Sequence, residues 1–80
     1  MRRYKMYIFF EDVELDAMLH ALGDVQRVLL SCPHSSVESI RQPETNLWRL
    51  IVTTKPATMN DACSTMHSNL NIENYLVAHA

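Results

Sequence analysis

Arg3-Tyr4-Lys5-Met6-Tyr7-Ile8-Phe9-Phe10 is the stretch from which the architecture can be worked out. In an extended strand, successive side chains point to opposite sides. Tyr4, Met6, Ile8 and Phe10 therefore share one face, and Arg3, Lys5, Tyr7 and Phe9 share the other. Aromatic and β-branched residues suit a pleated, half-buried surface. The first face is apolar throughout and calls for a cover. The second interleaves cations with aromatic rings. The inverted assignment would bury Tyr7 and expose Tyr4.

Working outward, Glu11, Asp12, Glu14 and Asp16 open a helix, their charge matching the positive end of its dipole. Leu15, Met18, Leu19, Leu22, Val25 and Leu29 follow with helical spacing. Gly23-Asp24 offers one stopping point, with Val25–Cys32 then becoming a strand. The apolar phase runs through Gly23 unbroken, which favours a helix reaching about Leu30, ended by Pro33. About 18 helical residues span roughly 27 Å, close to the reach of an eight-residue strand. Ser35–Gln42 and Leu47–Thr54 read as a hairpin joined by Pro43-Glu44-Thr45-Asn46. In its second arm Trp48, Leu50 and Val52 alternate with Leu47, Arg49, Ile51 and Thr53. Pro56 stops that strand. Thr58 then caps a second helix whose stripe is Met59, Ala62, Cys63, Met66 and Leu70. Ile72–His79 forms a last strand. The order β-α-β-β-α-β predicts an α+β, ferredoxin-like domain. Its four-stranded antiparallel sheet carries two helices on one face, with the first and third strands central.

Eighty residues make one domain, with no linker or repeat. The formal net charge is -2, which excludes a histone-like basic protein. Gly23 is the single glycine, so no glycine-rich phosphate loop or nucleophile elbow can be built, and no cofactor is implied. No run approaches the 18 or so apolar residues of a membrane span. Arg2, Arg3 and Lys5 imitate the start of a signal peptide, but the apolar run after them is too short, so none is expected. Cys32 and Cys63 lack a disulfide framework, which points to a reducing cytoplasm. A core this small favours a homodimer.

The candidate site is the uncovered sheet face. With Met6, Ile8, Leu50 and Val52 beneath the helices, Lys5, Tyr7 and Phe9 lie beside Arg49 and Ile51. Aromatic rings flanked by cations form a platform on which bases stack while the cations meet phosphates. Arg3 extends the basic cluster. The RNP1 pattern of RNA-recognition motifs is absent. The same apolar face equally suits a homodimer interface. Cys63 and His67 have helical ligand spacing, and Cys32-Pro33-His34 supplies another Cys and His. A buried structural Cys63 accounts for the first pair better, and no metal site is assigned. Glu11, Asp12 and Asp16 suit a divalent ion, although dipole matching explains them.

Arg41-Gln42, Asn46, Ile51-Val52-Thr53-Thr54 and Ala57 at a helix start resemble the corresponding region of the GhoS-type antitoxins. The resemblance covers about a quarter of the chain. It implies a ferredoxin-like fold, an RNA partner and endoribonuclease activity on a messenger RNA. It also adds Arg41 to the RNA contacts. The second helix departs from the pattern in carrying only Asp61 as an acid, and no catalytic residue is carried over. The resulting expectation is a small regulatory RNA-binding protein, with a homodimeric interaction or inhibitor module as the alternative.

Overall fold

The computed structural model describes residues 2–72 and 74–79. The chain runs through β1 (Tyr4–Glu11), a single 3-10 turn (Asp12–Glu14), α1 (Leu15–Leu29), β2 (Ser36–Gln42), β3 (Leu47–Thr54), α2 (Pro56–Leu70) and β4 (Tyr75–His79). The strands form one antiparallel sheet in the order β2-β3-β1-β4. Both helices lie on one face, giving the ferredoxin-like α+β fold.

The alternation in β1 sets the core. Met6 and Ile8 are fully buried and Phe10 nearly so, together with Leu50 and Val52 of β3. Met18, Ala21, Val25 and Leu29 of α1 meet them from above, with Met59, Ala62 and Met66 of α2. Register pairs Met6 with Val52, Ile8 with Leu50 and Phe10 with Trp48. Each fully buried apolar side chain of this size stabilises the fold by roughly 1.5–3 kcal/mol.

The acidic entry to α1 is held by a capping box in which the Glu11 N–H donates to the Glu14 carboxylate at 2.9 Å. The helix then passes through Gly23 without interruption, because Met18, Ala21, Val25 and Leu29 keep one buried line. Leu15 and Leu19 belong to the same apolar series by spacing. They nevertheless stay 40% and 53% exposed, since the stripe is wider than the sheet beneath it.

Two boundaries differ from the expectation. The second helix begins at Pro56 with Lys55 as its extended cap, not after Thr58. Proline at the first helical position loses no hydrogen bond there, and its fixed φ already suits the helix. Thr58 is instead buried, with its hydroxyl 3.3 Å from the Cys32 sulfur. The last strand begins at Tyr75 rather than Ile72. Asn71 takes a left-handed conformation, the Ile72 N–H returns to the Met66 carbonyl at 2.9 Å, and Ile72 packs on the core. Glu73, inside the expected strand, lies outside the described residues.

The hairpin forms as its sequence suggests. The Asn46 N–H donates to the Gln42 carbonyl at 2.9 Å, with Asn46 left-handed at φ 57°. Asparagine tolerates that conformation better than most residues. Among the described residues, no helix is long and apolar enough to cross a membrane.

Candidate nucleic-acid interface

The sheet face away from the helices is built in rows. Lys5 lies opposite Thr53 and Ala78, Tyr7 opposite Ile51 and Leu76, and Phe9 opposite Arg49. Because β1 and β3 are the central strands, Tyr7, Phe9 and Arg49 occupy the middle of the face. All three are half-buried, as is Lys5. Ile51 is only 6% exposed although no helix covers it, so the larger side chains around it lie over it. Register adds Ile40, opposite Arg49, and Leu76 to this face. Pairing with β3 and β1, rather than alternation, places both there.

Arg49 is the electrostatic feature of the platform. Its Nε is buried and has no hydrogen-bond partner among the described residues. Its guanidinium and the Lys5 ammonium make no ion pair among the described residues either. A buried donor without an acceptor costs about 1–3 kcal/mol. Glu38, across from Ile51, and Glu11, across from Leu47, are the acids diagonal to Arg49 on the same face.

Arg41 belongs elsewhere. It lies opposite Trp48, on the helix-side face. Its Nε and Nη2 donate to the two Asp12 carboxylate oxygens at 3.1 and 2.9 Å, and Trp48 Nε1 donates to Asp12 Oδ1 at 2.9 Å. The Arg41 hydrogen bonds hold the Asp12 carboxyl below its usual range. Arg41 thus ties the hairpin to the start of α1. Arg3 is also engaged: its guanidinium donates to the His34 carbonyl at the end of the sheet. The face therefore brings together Lys5, Tyr7, Phe9 and Arg49, and not Arg41.

The cysteines occupy separate surroundings. Ser35 donates to the Cys32 sulfur at 3.0 Å, with the Thr58 and Thr54 hydroxyls 3.3 and 3.5 Å away. These hydroxyls, Ser35 foremost, bring the Cys32 thiol down to about 7. Cys63 contacts the Met6 sulfur at 3.7 Å, and burial pushes its thiol up. Among the described residues, no three His, Cys, Asp or Glu side chains converge on a metal position.

No family model matches the chain, and no curated protein matches it. Two solved structures are similar to it over nearly its whole length. An uncharacterised protein from Thermotoga maritima is 18% identical over 99% of this chain and 94% of its own, with a TM-score of 0.48. A proposed monooxygenase from Shewanella loihica PV-4 is 15% identical over 100% of this chain and 92% of its own, with a TM-score of 0.50. At 15% identity the Shewanella match shows the fold alone.

Proposed function

We propose that the protein binds single-stranded RNA on the open sheet face, as a small regulatory protein of the GhoS antitoxin kind. The observation that carries this reading is Arg49. Its Nε is buried without an acceptor and its guanidinium forms no ion pair among the described residues, so the charge is left for an outside partner. A phosphate oxygen beside a base stacked on Phe9 or Tyr7 supplies it. The two rings are two residues apart on β1, roughly 7 Å, a spacing that suits successive splayed bases. Lys5 adds a second cation in the adjoining row. The rings provide sequence-tolerant stacking and the cations provide charge.

Fluorescence anisotropy with a mixed-sequence labelled single strand tests this directly. Affinity should fall with salt at a slope of about −0.7 per phosphate contacted, hence between −1 and −2 for two cations. Tyr7→Leu should weaken binding by about 1–3 kcal/mol, the worth of one stacked base, while Tyr7→Phe should retain it. A gel of the same samples reads cleavage of the strand. Absence of binding at low salt would overturn the proposal.

A further inference from the structure

The flank of α1 that overhangs β2 carries more apolar surface than one copy of the chain covers. Helical rotation puts Leu15, Leu19 and Leu22 on one line, continued past Gln26 to Leu30, and no charged residue interrupts it. Leu15, Leu19 and Leu30 are 40%, 53% and 83% exposed. Together they present on the order of 300 Å², the size of patch that on a monomer often marks a contact. Beneath them a groove of about 470 Å³ runs between Leu29 and Leu30 of the helix and Ser36 and Val37 of the strand.

The strand beside this groove is a long, regular edge. β2 pairs with β3 alone among the described residues, and seven of its residues are in unbroken register. Natural edges are blunted by proline, charged side chains, bulges or shortness; between Ser36 and Gln42 β2 has no proline and no break in register, and of its two charges, Glu38 and Arg41, the second is tied to Asp12. The opposite edge differs. β4 has five residues, and exposed Asn60, Ser64 and Ser68 lie on α2, the helix nearer to it.

We propose that a second copy of this chain docks on the α1–β2 edge. The two β2 strands pair antiparallel about a two-fold axis normal to the sheet, and α1 lies against its counterpart. One operation covers the leucine line and the free backbone together. Charge favours it. Antiparallel helices oppose their dipoles, and they bring the acidic first turn with Asp16 toward the partner's last turn, where the Arg27 side chain, ion-paired with its own Asp24, is still 69% exposed. A register centred on Ile40 sets Glu38 opposite the partner's Gln42, with no like charges directly opposed. The product is an eight-stranded sheet whose two open faces lie on the same side. This inference does not depend on RNA binding.

Light scattering coupled to size exclusion, without RNA, tests it. The wild-type chain should elute with the mass of two copies. Leu19→Lys and Leu30→Lys should each weaken the dimer at least tenfold while retaining the wild-type circular dichroism, since both positions are exposed in one copy. Tyr7→Leu should leave the dimer intact. A monomeric wild type would overturn the proposal. So would a dimer that survives both lysine variants. A dimer dissolved by Tyr7→Leu would instead seat the second copy on the open face and would count against the RNA site as well.

Discussion

Cys32 and Cys63 are the same residue type in opposite chemical settings. Hydroxyls of Ser35, Thr54 and Thr58 stabilise the Cys32 thiolate and bring its titration to about 7. Cys63, partly desolvated against the core, is shifted upward. Alkylation by iodoacetamide should therefore modify Cys32 first, with a rate midpoint near pH 7, and Cys32→Ser should abolish that phase. The linkage has a definite sign. A thiol lowered in the folded state adds stability that is complete above the unfolded thiol range and is lost as pH falls through about 7. Arg41 teaches a different lesson about single residues. Its attachment to Asp12 could not be read from the sequence, because β2 has little apolar contrast between its faces. Val37 stands alone on one face and Ile40 on the other, so periodicity does not orient the strand. Pairing with β3 does, and it sets Arg41 opposite Trp48 rather than in line with Arg49.

At the scale of elements, β1 and β3 were legible because each alternates cleanly and both lie in the middle of the sheet. Of the two face assignments that β1 left open, burial selects the one with Met6, Ile8 and Phe10 beneath the helices. The start of α2 was less legible, since Pro56 reads equally as a strand terminator and as the first helical residue. In α1 the continuous apolar phase was a better guide than Gly23. That glycine has helical geometry without positive φ, and an added Cβ would meet only Arg27 Nη1 at 3.9 Å. Gly23→Ala should thus stabilise the protein by about 0.5–1 kcal/mol, since alanine restricts the unfolded chain and suits a helix interior. Chemical denaturation reads this as a higher midpoint at unchanged slope. A destabilised variant would mean that α1 breaks at Gly23. What spacing could not show was how wide a stripe the sheet covers, which is why Leu15 and Leu19 remain outside the core.

At the scale of the whole molecule, two helices cover one side of a four-stranded sheet and leave the other side bare. A two-layer domain satisfies its core this way, and under the proposed function the bare side is where RNA binds. The rows Lys5–Thr53, Tyr7–Ile51 and Phe9–Arg49 give that side rings in mid-sheet and cations without an ion pair among the described residues. Amide chemical-shift mapping with a short single-stranded RNA tests this most directly. Shifts concentrated in β1 and β3 around Tyr7, Phe9 and Arg49, with the Arg41–Asp12 corner unmoved, are the predicted result. Shifts confined to the helices, or to that corner, would contradict the account.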